Sequence, residues 1–332
     1  MKKKILLLFF TTIILNGCTS NKYNGVVNVL NWSSYIPDSV ISDFEREYNI
    51  KVNYGTYSSN EELLAKITSS KRGTYDVIFP SDYMIDLMIQ RNILEPLDKN
   101  RLENYKNINT LFLRQNYDYD NTYSLPFLLA TSVIAYNSEN VSGITKYSDL
   151  KRPEYKNDIV LLDDERIIIG AMMQSLGYDL NDYDEVNLEG AYKEFEEIKP
   201  NIKAFDSDSP KTFLITGEAN IGLIWNAEAL LAKEENPNIE IIYPSDGYAL
   251  SMDNYAIVKD APNIDNAYLF ISYLLRDDVC KKIVEEYPYI STNRNVVTLT
   301  NNEIKNILSN GEYVSNIGEN IKNIDKMWAR FK

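Results

Sequence analysis

The sequence predicts an α/β fold organised as two domains. Strand-like apolar runs alternate with helix-like amphipathic segments along most of the 332 residues. This alternation is typical of parallel strands joined by helical crossovers. The chain is also longer than a single hydrophobic core usually requires, which favours two domains.

Short apolar runs bounded by polar or turn residues indicate the strands, and apolar residues at three- and four-residue spacing indicate the helices. The predicted strands are 26–30, 50–54, 76–79, 158–162, 221–224 and 255–258. Five predicted helices have both ends defined: 37–48, Asp164 to Leu176, 227–232, 264–275 and 277–287. Three more are defined at one end: one begins with a capping box of Ser59 and Glu62, one follows Ser81, and one ends near Trp328.

Polar and aromatic side chains follow several of these strands. Trp32 and Ser33 follow the first strand, Ser81 follows the third, and Trp225 ends a strand in the second half. Open α/β sheets bind ligands at the carboxyl ends of their strands. Aromatic faces attract organic cations and carboxylates anchor them, so Asp164 and Asp253 complete a candidate cation site.

Each of these residues also has a purely structural interpretation. A tryptophan after a strand often packs in the core. One of Asp163 and Asp164 could cap a helix, and Asp253 could belong to a turn. Trp328 lies on a periodic apolar face and is assigned to packing. The residues alone therefore predict an α/β cleft, with a cation as one possible ligand.

Composition argues against several functions. The chain has no histidine, which excludes imidazole bases and His-ligated metal sites and argues against an enzyme. The net charge of −14 argues against nucleic acid and suits a cationic ligand, although solubility explains acidity equally well. Cys280 lies on a helical pattern and is predicted to be a small buried residue. We expect no cofactor and no metal.

The first residues predict export. Lys2, Lys3 and Lys4 precede an apolar stretch too short for a permanent membrane span, as in a cleaved signal peptide over residues 1–17. The stretch ends in Gly17-Cys18 and resembles a bacterial lipobox, which implies lipidation of Cys18 and an extracytoplasmic, membrane-anchored protein with residues 18–25 as a tether. An ordinary secretory signal is the alternative.

Five ordered segments carry a family resemblance: 31–37 (NWSSYIP), 75–81 (YDVIFPS), 153–156 (PEYK) with 161–164, 222–226 (GLIWN) and 273–276 (YLLR). Together they resemble the spermidine/putrescine-binding proteins of polyamine ABC importers. The resemblance implies a type II periplasmic-binding-protein fold with hinge strands and an interlobe ligand cleft. It also implies a monomer that delivers putrescine or spermidine to a membrane permease. The expected lobes are 26–128 plus 255–300 and 129–254 plus 301–332.

The resemblance assigns three chemical roles in the cleft. Aromatic residues would form a cage, serines would supply hydroxyls, and carboxylates would anchor the amines. The predicted ligand-binding residues are Trp32, Ser33, Tyr35, Ser81, Tyr83, Asp164, Ser207, Trp225, Glu228, Asp253 and Tyr289.

Four positions set this chain apart within that family. Ile167 stands where a glutamate is usual, Ser251 where an aromatic is usual, and Val314 where spermidine binders have a polar contact. Glu228 lies where putrescine-preferring members carry an aspartate. A redistributed set of carboxylates therefore leaves the identity of the amine open.

Three other functions remain open. The first is binding of another solute, such as an amino sugar, a quaternary amine or a metal complex. The second is a carbohydrate-active enzyme that uses Asp163 or Asp164 with Glu165. The third is a sensory or adhesive lipoprotein.

Overall fold

The computed structural model describes residues 23–332, so the predicted signal peptide and Cys18 lie outside the described residues. The strands are β1 (Gly25–Trp32), β2 (Ile50–Tyr57), β3 (Val77–Ile78), β4 (Ser124–Asn137), β5 (Ile159–Leu161), β6 (Ile202–Phe205), β7 (Ile221–Trp225), β8 (Ile239–Ile242), β9 (Tyr248–Ile257), β10 (Ile290–Ser291) and β11 (Gly311–Tyr313). The helices are α1 (Asp38–Tyr48), α2 (Asn60–Ser69), α3 (Asp82–Gln90), α4 (Glu165–Ser175), α5 (Glu185–Ile198), α6 (Lys211–Thr216), α7 (Asn226–Glu235), α8 (Ile264–Leu274), α9 (Asp277–Glu286), α10 (Asn301–Asn310) and α11 (Ile321–Phe331).

Hydrogen-bonded strands follow one path, in the order β2-β1-β3-β9-β4-β7-β5-β6. At one end β1 is parallel to β2 and β3, and at the other β5 is parallel to β6 and β7. The alternation of strands and helices predicts such parallel groups. The carboxyl ends of such parallel strands are where open α/β sheets bind ligands.

Two long antiparallel strands, β4 and β9, connect these parallel groups. Residues 124–131 of β4 pair with β9, and residues 132–136 pair with β7. Nearly every side chain of β4 is buried, because other elements cover both of its faces. The two parallel groups are thus joined by continuous strands, as the resemblance implies for hinge strands.

Separate apolar clusters stabilise the two groups. Around β1 the largest buried side chains include Phe44, Phe79 and Phe270. Around β5 the core is built on Phe195 and Phe331, whose rings stack 3.9 Å apart. Each group therefore has its own core, in keeping with the two domains that the chain length favours.

The structure differs from the sequence prediction in two places that affect the site. The predicted strand 255–258 is only the end of β9, which begins at Tyr248, so Asp253 lies within a strand and not in a turn. At α2, Ser59 Oγ accepts from the Glu62 amide at 3.1 Å as predicted. The Glu62 carboxylate, however, accepts from Ser58 and so does not complete the capping box.

Candidate functional site

Strand β9 carries Asp253 into the interior, where the residue is only 2% exposed. Beyond the end of β3, Ser81 forms an isolated antiparallel β-bridge with Asp253 of β9. Asp253 Oδ1 accepts hydrogen bonds from Ser81 Oγ at 2.7 Å and from Trp32 Nε1 at 3.1 Å. Oδ2 accepts from the Tyr35 hydroxyl at 2.6 Å. All three donors are uncharged.

The protonation of Asp253 reflects two opposing effects. Burial raises the pKa of this carboxyl to about 6, and the hydrogen bonds from Tyr35, Ser81 and Trp32 oppose the rise. The carboxylate is therefore ionised at neutral pH. A buried negative charge that only neutral groups stabilise favours the approach of a cation.

Aromatic rings surround this carboxylate. The Trp32 ring lies 4.7 Å from Tyr57 and 6.3 Å from Tyr35, and Tyr35 lies 4.7 Å from Tyr289. Trp32 Nε1 also donates to the carbonyl of Phe79 at 3.0 Å, which fixes its ring. These rings provide apolar faces next to a fixed negative charge.

A cavity of about 460 Å³ has Asp253 in its wall. All eleven residues that the resemblance assigns to the ligand lie in the wall of this same cavity: Trp32, Ser33, Tyr35, Ser81, Tyr83, Asp164, Ser207, Trp225, Glu228, Asp253 and Tyr289. Their contact with a ligand remains a prediction. The cavity lies between the two parallel groups of strands, because its wall draws residues from both.

The cavity wall is strongly acidic. Its carboxylates are Glu61, Asp163, Asp164, Glu165, Asp208, Glu228, Asp253 and Asp325. Among the lining residues in the described part of the chain, Arg166 is the one basic side chain. The summed charge of the wall therefore favours cationic over anionic ligands.

Several carboxylates of the wall have a cationic partner. Arg166 forms ion pairs with Glu61 at 3.0 Å and with Glu165 at 3.5 Å. Lys211 Nζ lies 2.9 Å from both carboxylate oxygens of Glu228, so the charge of this predicted ligand residue is compensated within the protein. Asp253 differs from them because its hydrogen bonds come from neutral groups.

Asp164 both caps a helix and lines the cavity, the two roles that its sequence position allows. It is the N-cap of α4, where Oδ1 accepts from the amides of Arg166 and Ile167 at 3.0 and 3.2 Å. The residue also lines the cavity, and burial raises the pKa of its carboxyl while Arg166 opposes the rise. Asp163 also lines the cavity, and its carboxylate forms an ion pair with Lys332 at 2.6 Å.

The predicted hydroxyl groups differ in their surroundings. Ser81 is buried and hydrogen-bonded to Asp253, whereas Ser33 lines the cavity but is exposed. Ser207 Oγ accepts from the Asp163 amide at 2.8 Å, which connects the loop after β6 to the start of α4. Of these three serines, only Ser81 therefore forms a hydrogen bond with Asp253.

Ile167, Ser251 and Val314, three of the four positions at which the sequence is unusual, also line the cavity. Ile167 and Val314 are 2% and 5% exposed and make part of the wall apolar, while Ser251 is half-buried on β9. Ile167 and Val314 therefore contribute apolar surface to a wall that also holds the Asp253 carboxylate.

Sequence reasoning missed several wall residues. Arg166 is one of them, because a basic side chain is not expected in the wall of a site that is predicted to bind a cation. Trp328 packs 5.3 Å from Phe205 as predicted, but it also lines the cavity, so its assignment to packing alone was incomplete. Its position at the exposed edge of a periodic apolar face could have indicated this second role.

Cys280 is a free, buried thiol, as predicted. Burial raises its pKa to about 11, and its sulfur lies 3.3 Å from Ser291 Oγ. Within residues 23–332, no group of three or more Cys, Asp and Glu side chains has an arrangement that could hold a metal ion. Across the same residues, none of the helices has the length and apolar character that crossing a membrane requires.

Known proteins share both this sequence pattern and this fold. The family model of the bacterial extracellular solute-binding proteins matches residues 39–307. The chain belongs to this family. A spermidine/putrescine-binding periplasmic protein of Salmonella typhimurium is 34% identical over 307 residues, which cover 89% of this chain and 88% of the relative.

Solved structures agree with this assignment. A Listeria monocytogenes protein named for a spermidine/putrescine ABC transporter aligns with a TM-score of 0.85 and 34% identity, covering 92% of this chain and 98% of its own. The TpPotD lipoprotein of Treponema pallidum aligns with a TM-score of 0.84 and 26% identity, covering 92% of this chain and 99% of its own. The predicted two-lobed type II periplasmic-binding-protein fold is therefore confirmed.

Proposed function

We propose that this protein is the substrate-binding component of an ABC importer and captures a polyamine, putrescine or spermidine, in the interlobe cleft. The observation that carries the proposal is Asp253, the fully buried carboxylate of a cleft whose relatives are named for these amines. Its negative charge is stabilised by neutral donors, so it can still bind a cation.

The chemistry of the wall suits an alkyl ammonium ion. An ammonium leaves water favourably only when it gains a charged partner and further hydrogen bonds. Asp253 supplies the charge, while Trp32, Tyr35 and Tyr289 supply faces that attract the cation and cover its methylenes. The volume of about 460 Å³ is in the range of small-molecule sites.

Several further features belong to the same proposal. We infer that Cys18 carries lipid and anchors the protein outside the cytoplasm, where it acts as a monomer that docks on a membrane permease. The relative from Treponema pallidum is itself named a lipoprotein. Residues 26–128 plus 255–300 and 129–254 plus 301–332 are the proposed lobes, and the separate cores around Phe44 and Phe195 support that division.

Calorimetric titration with putrescine and spermidine tests the proposal. We expect saturable binding of at least one amine and none of the uncharged diol with the same carbon chain as putrescine. Asp253→Asn should abolish the heat, whereas Asp120→Asn, at an exposed acidic residue outside the cavity wall, should not. The absence of heat and of a thermal shift at millimolar amine would disprove the assignment.

The same cleft could serve a different cationic solute. Native mass spectrometry of freshly purified protein distinguishes this case, because the mass of a retained ligand identifies an amino sugar, a quaternary amine or a polyamine directly. We expect no catalytic turnover, and a glycosidase assay checks this for Glu165, whose pKa burial raises to about 7.

A further inference from the structure

One cluster of side chains connects the two sides of the cleft. Arg166 lies on α4, at the β5 end of the sheet path, whereas Glu61 on α2 and Tyr83 on α3 belong to the β1 end. Arg166 Nη2 lies 3.0 Å from Glu61 Oε1, and its Cζ atom lies 4.3 Å from the Tyr83 ring centroid. The Tyr83 hydroxyl donates to the same Glu61 oxygen at 3.3 Å. We call these three residues the Arg166 cluster.

The burial of Arg166 makes these contacts important. Its side chain is 8% exposed, and a desolvated guanidinium requires ionic and hydrogen-bonding partners. On its own lobe it has Glu165 at 3.5 Å and the nearby charge of Asp164, while Nε lacks a hydrogen-bond partner among the described residues. The shorter of its two ion pairs, to Glu61, and its contact with the Tyr83 ring both come from the opposite lobe.

These contacts can exist only while the lobes are close together. If the cleft opens, Arg166 exchanges Glu61 and the Tyr83 ring for water. A second bond between the two sides, from Asn316 Nδ2 to Asp86 Oδ2 at 3.0 Å, must break in the same motion. Such contacts bias a two-state hinge equilibrium without touching the ligand.

We propose that Arg166 is a positioning residue that fixes the Tyr83 ring in the cavity wall and favours the closed arrangement of the two lobes over bound ligand. The inference about the ligand rests on the proposed function, whereas the effect on closure does not. Because Glu61 and Glu165 compensate its charge, Arg166 can occupy a cleft for cations without strongly repelling them.

Affinity measurements on a double-mutant cycle test the coupling. Arg166→Gln and Glu61→Gln should each weaken binding of putrescine or spermidine, with about tenfold expected for Arg166→Gln from loss of the ion pair and the cation–π contact. The double variant should bind no more weakly than Arg166→Gln alone. Glu234→Gln, at an exposed residue of α7, is the matched control and should leave affinity unchanged.

Ligand-free closure is measured independently by pulsed electron resonance between spin labels placed through Lys71→Cys and Lys203→Cys, on opposite lobes. Arg166→Gln should shift the distance distribution towards the open form, and Arg166→Lys should retain part of the closed population. Additive losses in the cycle, or unchanged distances and affinities in both single variants, would overturn the inference.

The two readouts separate the possible failures. If the unmodified protein binds no polyamine, the proposed function fails, but the distance measurement still decides whether Arg166 favours closure. If Arg166→Gln does not fold, Glu61→Gln tests the same contact from an accessible side chain that is about half exposed.

Discussion

Replacing Asp253 by Asn should stabilise the ligand-free protein at pH 8 while it destroys the ligand site. The neutral amide fits the existing donors. Its Oδ1 can keep the hydrogen bonds from Trp32 and Ser81, and its Nδ2 can donate to the Tyr35 hydroxyl, which rotates to accept. The substitution therefore removes a buried charge while the oxygen and the nitrogen of the new amide each keep a hydrogen-bond partner.

The size of the effect follows from the pKa of Asp253. Its value of about 6 in the folded protein exceeds the ordinary 3.8 by about two units. At about 1.4 kcal/mol per unit, the ionised carboxylate costs about 3 kcal/mol of folding free energy. Because the folded pKa is raised, this cost is fully present above pH 6, declines between pH 6 and 3.8, and is absent below.

Urea unfolding of the ligand-free protein at pH 8 and at pH 4 measures this effect. Asp253→Asn should raise the free energy of unfolding by about 2–3 kcal/mol at pH 8 and by little at pH 4. Asp120→Asn, an exposed carboxylate replaced in the same way, controls for the general change in net charge. An equal gain at both pH values, or a loss at pH 8, would refute the reasoning about the buried charge.

Three further predictions concern the same region. Polyamine affinity should fall about tenfold per pH unit below pH 6, since protonation neutralises Asp253, and calorimetry in a series of buffers would contradict this if affinity stayed constant. Trp32→Phe removes the indole donor to Asp253 and should weaken binding by about 1–2 kcal/mol; an unchanged affinity would show that this hydrogen bond is unimportant to the site. Ser59→Ala removes the N-cap of α2 and should cost about 1 kcal/mol in thermal or urea unfolding, with polyamine affinity changed much less; no loss of stability would show that the cap contributes nothing.

Local patterns identified much of the fold because the strands around the cleft are short, apolar and followed by distinctive residues. β1 and β7 were predicted with their ends near Trp32 and Trp225, since an apolar run followed by an aromatic and polar residues is a local signal. Parallel pairing and a site at the strand ends follow from the alternation of strands and helices.

β9 shows what a local pattern cannot reveal. The sequence around Asp253 and Asn254 has the composition of a turn, yet both residues lie within a strand and are buried. They are tolerated there because distant elements supply hydrogen bonds, including Trp32, which is 221 residues away along the chain. Strand β4 was likewise not predicted, although its buried side chains join the two parallel groups.

The pairing of charges in the cleft could not be predicted either, and it changes the interpretation of the site. Glu228 was expected to be an added anchor for an amine, but Lys211 holds both of its oxygens. The Arg166 cluster brings together side chains from three different helices, and no local pattern in the sequence predicts their contact. Residue type indicates which groups are charged, whereas only the fold indicates which charges remain without a partner.

The resulting distribution of charge sets one carboxylate of the acidic cleft apart from the others. Arg166 and Lys211 neutralise carboxylates at the edges of the cavity, so these acids contribute to the general field more than to a specific contact. Asp253 has no such partner and stays ionised at a cost of about 3 kcal/mol in folding free energy. A cationic ligand can offset part of that cost when it enters. The ionised Asp253 thus weakens the ligand-free fold and is, at the same time, well placed to stabilise a complex with a cation.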